Sequence, residues 1–202
     1  SNEDCDGDGV TCSQENEDGT DPNDPCDFIL EHQNCSPSEE WKKDDCDGDG
    51  VSNGQEKEDG TDPLDPCDFV LEHQDCSPSE EWKKDDCDGD GVTNGQENED
   101  GTDPLDPCDY NPESITLAQS GDYLDADCDG DGVTNEKENE DGTDPQDPCD
   151  FMLDSQTVAP DSTWNSSDCD GDGVTNGDEK EDGTDPLDPC DYNPESVTLP
   201  QS

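Results

Sequence analysis

Three aspartates, two glycines and a glutamate recur at fixed spacing in the segment DCDGDGVSNGQE, which runs from Asp45 to Glu56. Counting from Asp45, Asp occupies positions 1, 3 and 5, Gly position 6 and Glu position 12. Calcium binds six to eight oxygen ligands at about 2.3–2.6 Å, and alternate aspartates can place three carboxylates in one concavity. Gly at position 6 permits the turn that aims the position-7 carbonyl inward, and Glu at position 12 closes the site. The pattern predicts a calcium-binding loop.

The loop occurs five times, beginning at Asp4, Asp45, Asp86, Asp127 and Asp168, always 41 residues apart. A solvated acidic run would not keep this spacing, and magnesium fits less well because it retains its waters and takes few protein ligands. Position 7 is always Val, which would bind through its carbonyl, and position 9 is Asn in four loops, where it would bind directly or through water. The candidate loop ligands are Asp4, Asp6, Asp8, Val10 and Glu15; Asp45, Asp47, Asp49, Val51, Asn53 and Glu56; Asp86, Asp88, Asp90, Val92, Asn94 and Glu97; Asp127, Asp129, Asp131, Val133, Asn135 and Glu138; and Asp168, Asp170, Asp172, Val174, Asn176 and Glu179.

The composition does not provide an ordinary globular core. The 202 residues include 63 Asp and Glu against 7 Lys and Arg, the formal net charge is −56, and only 22% of residues are hydrophobic. Such a composition alone is typical of disordered chains. The 13 cysteines and the ordered acids instead indicate that disulfides and metal replace the core.

The cysteines also indicate an oxidising compartment, hence an extracellular or cell-surface location. A reduced zinc protein is disfavoured because the chain has no CxxC pair and only two histidines, His32 and His73. The negative charge should repel nucleic acid and anionic membranes, and no signal peptide or stretch of about 18 apolar residues suggests membrane insertion. The chain begins inside a repeat, as a mature or excised segment would. No residue set typical of catalysis is present, so we do not expect an enzyme.

Five repeat units are expected: 1–44, 45–85, 86–126, 127–167 and 168–202, the last with a shortened arm. Each unit has a loop, an acidic hinge such as 56–68 and a variable arm such as 69–85. Pro and Gly punctuate every unit, so at most one helical turn is expected after each loop, with weak extended pieces in arms such as SITLAQS. An EF-hand is disfavoured because helices long enough to flank the loops are missing.

Aromatic residues open and nearly close the arms, as Phe69 and Trp82 do in the second unit. With the valine of each loop they predict a small apolar cluster per unit, covering the disulfide and metal layer. An alternative is that some aromatics pack against a neighbouring chain.

The segment DCDGDGVTNGQENEDGTDPLDPCD (86–109) resembles the thrombospondin type 3 repeat, particularly its bacterial form, over about 24 of every 41 residues. The resemblance implies a mostly irregular, linear repeat rod with little regular secondary structure, stabilised by disulfides and by one or more calcium ions per repeat. It also implies stalks of secreted surface proteins and adhesins. Finally, it implies further ligands in the hinges: Asp21, Asp24 and Asp27; Asp62, Asp65 and Asp68; Asp103, Asp106 and Asp109; Asp144, Asp147 and Asp150; and Asp185, Asp188 and Asp191.

The cysteines fall into two main registers, one at loop position 2 and one in the motif DPC. Arm-closing bridges 20 residues apart are expected at Cys26–Cys46, Cys67–Cys87, Cys108–Cys128 and Cys149–Cys169, each worth roughly 3 kcal/mol in the chain-entropy model. Bridges across the hinges, such as Cys5–Cys26, are the rival. The preferred set leaves Cys5 and Cys190 as ends that would join successive segments head to tail. Cys12–Cys35 and Cys35–Cys76 remain alternatives for the other cysteines.

These observations predict an extracellular calcium-binding structural segment that forms a rigid rod or filament, part of a bacterial surface fibre or adhesin stalk. The alternatives are an adhesion module that binds through its aromatic arms and a soluble acidic calcium buffer. The expected partners are calcium ions and further copies of the chain, arranged head to tail or laterally. Two sequons, at Asn34 and Asn165, are candidates for glycan attachment.

Overall fold

A short helix begins at position 9 of each acidic loop because the sequence supplies a signal at both of its ends. In the computed structural model, which describes residues 3–201, these helices are α1 (Cys12–Asp18), α2 (Asn53–Asp59), α3 (Asn94–Asp100), α5 (Asn135–Asp141) and α7 (Asn176–Asp182). Ser or Thr precedes each helix, and a glycine in the left-handed conformation ends it. The prediction of at most one turn was therefore wrong, since each helix has seven residues.

The arms contain only single turns and very short helices. Two α-helices of five residues, α4 (Gly121–Asp125) and α6 (Ser162–Ser166), lie in the third and fourth arms. Turns of 3₁₀ helix cover Leu30–His32, Trp41–Lys43, Leu71–His73, Trp82–Lys84, Pro112–Ser114 and Leu153–Ser155. Residues 3–201 contain no strand, so the expected extended pieces do not pair with one another. In the third arm, for example, the N–H groups of Thr116 and Leu117 donate instead to the Gly91 carbonyl.

Each arm folds back over its own loop. In the second repeat the N–H of Cys76 donates to the Gly50 carbonyl at 2.9 Å, and the N–H of Ser79 donates to the Gly48 carbonyl at 2.8 Å. The side chain of His73 lies 2.6 Å from Asp59 at the end of α2, and Ser155 makes the equivalent bond to Asp141 in the fourth repeat. The arm thus covers the loop from which it starts.

The apolar core is a separate small cluster in each repeat. Val51, Phe69 and Trp82 form one such cluster, with Phe69 and Trp82 edge to face at 5.9 Å between ring centroids. The indole N–H of Trp82 donates to the Pro66 carbonyl at 2.8 Å. In the third repeat Tyr110 and Tyr123 replace this pair. The structure confirms that these aromatics pack within their own repeats.

Successive repeats are joined at the end of each arm. The Asn94 side chain, fully buried at loop position 9, donates to the Trp82 carbonyl at 3.0 Å and accepts from the Cys87 N–H at 3.0 Å. The side chain of Leu105, in the third hinge, packs on the second repeat's apolar cluster. Each repeat therefore completes the repeat before it.

The four arm-closing disulfides are confirmed: Cys26–Cys46, Cys67–Cys87, Cys108–Cys128 and Cys149–Cys169. The remaining pairings were predicted wrongly, because Cys5 bonds to Cys12 within the first loop, while Cys35, Cys76 and Cys190 are free thiols. The reason is local: position 9 lies beside position 2, as the 3.3 Å contact of Asn53 with the Cys46 sulfur shows. A head-to-tail bridge through Cys5 is thereby excluded.

Backbone contacts divide the chain into two units. The first comprises Ser1–Cys87, Val92–Leu105 and Asn111–Ser114, and the second comprises Asp88–Gly91, Asp106–Tyr110 and Ile115–Ser202. Among residues 3–201 no helix has the length and apolarity required to cross a membrane.

The junction can be tested by changing Asn94 to Ala in the calcium-loaded protein. We expect the free energy of unfolding to fall by about 2–4 kcal/mol, because a buried carbonyl and a buried N–H lose their partner. Asn98→Ala is the matched control, since Asn98 is exposed on the same helix, and it should change stability by less than about 0.5 kcal/mol. Urea unfolding measures both, and equal effects would contradict the assigned role of Asn94.

Candidate metal centres in the five loops

The glycines give the loop its curvature. In the second repeat, Gly48 and Gly50 have φ of +82° and +95°, values that favour glycine. Their N–H groups donate to the two oxygens of Asp45, at 2.7 and 3.1 Å. A Cβ at Gly50 would also lie 3.0 Å from the Cys76 carbonyl oxygen of the covering arm. The sequence predicted the turn at position 6 but not that the arm packs there.

The next two aspartates each use one oxygen to brace the loop. Asp47 accepts from the Asp49 N–H at 3.2 Å, and Asp49 accepts from the Val51 N–H at 2.7 Å. Their second oxygens are buried without a hydrogen-bond partner. The loop therefore leaves carboxylate oxygens available for a ligand.

The aspartates at positions 1, 3 and 5 are brought together as predicted. Four such triads lie wholly within one unit, and in each of them one oxygen from every aspartate lies within 4.8 Å of the others: Asp4, Asp6 and Asp8; Asp45, Asp47 and Asp49; Asp127, Asp129 and Asp131; Asp168, Asp170 and Asp172. The third loop keeps the same aspartate spacing, but its Asp88 and Asp90 belong to the second unit and its Asp86 and Glu97 to the first.

The glutamate at position 12 gives the clearest sign of a bound cation. Glu56 is fully buried, and neither of its carboxylate oxygens has a hydrogen-bond partner. The same holds for Glu15, Glu138 and Glu179. An unpaired buried carboxylate is costly and rare in folded proteins unless it binds a metal. These residues fit a hard divalent cation such as calcium.

The electrostatics of the loop indicate the same ligand. Burial, followed by the charges of Asp47 and Asp49, raises the pKa of Glu56 to about 9. Burial likewise raises the pKa of Asp47 to about 6 and that of Asp49 to about 7. The pKa of Glu138 is raised to about 9 for the same reasons. A divalent cation would reverse these shifts by favouring every ionised carboxylate.

Positions 7 and 9 connect the loop to the packing. The Val51 side chain is fully buried in the apolar cluster. The Asn53 side chain accepts from Cys46 N–H at 3.0 Å and donates to the Trp41 carbonyl at 2.9 Å. Both polar atoms of Asn53 therefore have protein partners, a role that the sequence pattern did not predict. The same contacts recur at Asn94, Asn135 and Asn176.

The hinge aspartates stabilise their own turn. Asp62 accepts from the Leu64 N–H at 3.1 Å, Asp65 accepts from the Cys67 N–H at 3.1 Å, and Asp68 accepts from the Asp62 N–H at 3.1 Å. The Asp62 charge contributes to the raised pKa of Glu56. The first hinge aspartate thus acts electrostatically on the loop, while metal binding by the hinge remains a prediction.

The role of Glu56 can be tested with Glu56→Gln. With calcium present we expect at least about tenfold weaker binding at this loop, about 1.4 kcal/mol, because an anionic ligand is lost. In chelator at pH 8 the same variant should be as stable as the unchanged protein or more stable, since the amide removes a repelled acid. Glu58→Gln, exposed on the same helix, is the control. Calorimetry and urea unfolding measure the two effects, and weaker stability in both conditions would contradict the assigned role.

Calcium binding should release protons at pH 7. Because the pKa of Glu56 and of Glu138 is raised to about 9 in the metal-free fold, both groups hold a proton at pH 7 and lose it on binding the cation. The apparent calcium affinity should therefore rise with pH up to about 9 and then level off. Calorimetry in buffers of different ionisation enthalpy counts the protons. Affinity that is independent of pH between 6 and 9 would contradict this assignment.

The acidic loops match a known repeat family. The family model described as the bacterial TSP3 repeat matches residues 4–25, 45–66, 86–107, 127–148 and 168–189, more than half of the chain. No curated protein and no solved structure gave a match. Each matched segment contains the acidic loop with its buried carboxylates, the helix and most of the hinge. The chain belongs to the family of bacterial thrombospondin type 3 repeats, which are calcium-binding.

Proposed function

We propose that this protein is a structural segment of an extracellular fibre or adhesin stalk on a bacterial surface, held as a rigid rod by calcium. The five matched repeats and the disulfide that closes each of the first four arms support an extracellular, structural role. Catalysis is not part of the proposal, because the repeat family binds calcium for structural purposes.

One observation carries the proposal: the metal loop and the repeat junction are built from the same few residues. Asp49 has one buried oxygen without a hydrogen-bond partner and accepts from the Val51 N–H with the other, while the Val51 side chain lies in the apolar cluster. Two residues further on, Asn53 holds the end of the preceding arm. A metal that fixes the loop therefore also fixes how one repeat meets the next.

We further propose that the hinge aspartates bind additional calcium. Asp21, Asp62, Asp144 and Asp185 each contribute to the raised pKa of the glutamate in their own loop. More than one ion per repeat would also offset more of the net charge of −56. Both features favour the larger stoichiometry.

Partners other than calcium would contact the surfaces of the arms. Met152, Leu153 and Val158 of the fourth arm are 50%, 41% and 46% exposed, which favours lateral contact with further copies or with an adhesion partner. Asn34 is exposed in its arm, whereas the Asn165 side chain donates to the Pro160 carbonyl. Asn34 is therefore the better candidate for glycan attachment.

Removal of calcium tests the structural role. We expect the calcium-loaded chain to scatter as an extended particle of fixed length. In EGTA, with its disulfides intact, it should become a flexible chain without one fixed length, because the loop carboxylates then repel. Small-angle X-ray scattering measures the maximum dimension, and EGTA with excess magnesium is the control for ionic strength. A compact particle of equal size in both conditions would favour the calcium buffer and contradict the rod.

A further inference from the structure

Every repeat from the second to the fifth bonds to the preceding arm through the asparagine at loop position 9. Loop position 9 is always Asn, position 10 is Gly in three of the four, and the residue between the two Asp-Pro steps of the hinge is Leu or Gln. We call these three the junction positions. The first repeat differs at all of them, with Cys12, Ser13 and Asn23.

The first junction position ties the loop to the preceding arm. In the second repeat the Asn53 side chain bonds to the backbone of Cys46 and to the carbonyl of Trp41, the residue near the end of the first arm. In the first repeat Cys12 bonds covalently to Cys5, the residue equivalent to Cys46. The Cys12 N–H donates to the Glu3 carbonyl at 3.0 Å, as that of Asn53 donates to Asp44. Cys12 thus holds its loop closed without an arm in front of it.

The second junction position leaves room for the preceding arm. A Cβ on Gly54 would lie 2.6 Å from the Lys42 carbonyl oxygen, and a Cβ on Gly95 or Gly177 would lie 2.7 Å from the equivalent arm carbonyl. Such contacts are too close for any side chain. The exception, Glu136, follows the arm that ends in Tyr123 rather than in Trp. Ser13 therefore carries a Cβ where an arm ending in Trp would place its backbone.

The third junction position contacts the preceding repeat in the second, third and fourth repeats. Leu64 packs against the cluster of Val10, Phe28 and Trp41. Gln146, its equivalent in the fourth repeat, donates instead to the Cys108 and Tyr110 carbonyls of the third. Asn23 is exposed, and its side-chain amide donates to Asp21 of its own hinge at 3.2 Å. It contributes no apolar surface to a neighbour.

We propose that the first repeat is a capping repeat, whose face towards a preceding repeat is closed by the Cys5–Cys12 bridge and by Ser13 and Asn23. Repeats of this type then stack on one side of it only, so copies of this chain do not join through it. Polypeptide of another kind can still be attached to the first repeat, because such an attachment does not use this face.

The experiment places a candidate neighbour directly against this face. A copy of residues 127–167 with Cys128→Ser is fused before Asp4 in place of residues 1–3, which puts the copied Cys149 at the 20-residue spacing from Cys5 that the other arm bridges have. The fusion is made in the unchanged chain and in a chain carrying Cys12→Asn, Ser13→Gly and Asn23→Leu. Both are folded with calcium in a glutathione redox buffer, and non-reducing peptide mapping identifies the bridges.

In the unchanged fusion we expect Cys5–Cys12 in more than about 90% of molecules, with the copied Cys149 free and the copied Trp164 accessible to a collisional quencher. In the triple variant we expect Cys5 to bond to the copied Cys149 and that tryptophan to become as protected as Trp41 and Trp164, which are each 1% exposed. Unchanged mapping of the other four bridges verifies that each fusion folds. The proposal is overturned if the unchanged fusion bonds Cys5 to the copied Cys149, or if the triple variant leaves the copied arm undocked.

Discussion

The crowding of three aspartates and a buried, unpaired glutamate in one loop is the constraint on which the rest of each repeat depends. Acids about 4 Å apart repel by about 1 kcal/mol per pair even in water, and more when partly buried. Opposing this, the apolar core in three of the repeats is a single cluster of three large side chains. With so little apolar surface to bury, the fold relies on its disulfides and on neutralisation of the loop carboxylates.

The loop couples its acidic cluster to the core because triad residues and packing residues alternate along it. Asp47 and Asp49 contribute oxygens to the triad, and Val51 then enters the apolar cluster. Asn53 holds the preceding arm, and Glu56, one helical turn later, is buried with its carboxylate unpaired. Few residues separate these roles, so a displaced carboxylate displaces a core residue as well. A cation that held these carboxylates in place would therefore also favour the tertiary packing of the repeat.

Much of the site could be predicted from sequence because its determinants are local. The aspartate spacing predicted the triads, and the 20-residue spacing predicted four disulfides. The parts predicted wrongly depend on contacts made after folding. Helix α2 extends to Asp59 since Gly60 ends it in the left-handed conformation. The pairing of Cys5 with Cys12 needed the proximity of positions 2 and 9, which only the folded loop reveals.

The division of each repeat into a constant loop and a variable arm follows from these contacts. An arm must offer an aromatic ring, a carbonyl near its end and a backbone that fits over two glycines, as the second arm does at Gly48 and Gly50. Tyr123 meets the first two requirements as well as Trp82 does, so the aromatic residue itself can differ between arms. The loop has less freedom, because its residues form the acidic triad, enter the apolar cluster or bond to the preceding arm. Differences in surface chemistry between repeats must therefore be carried by the arms.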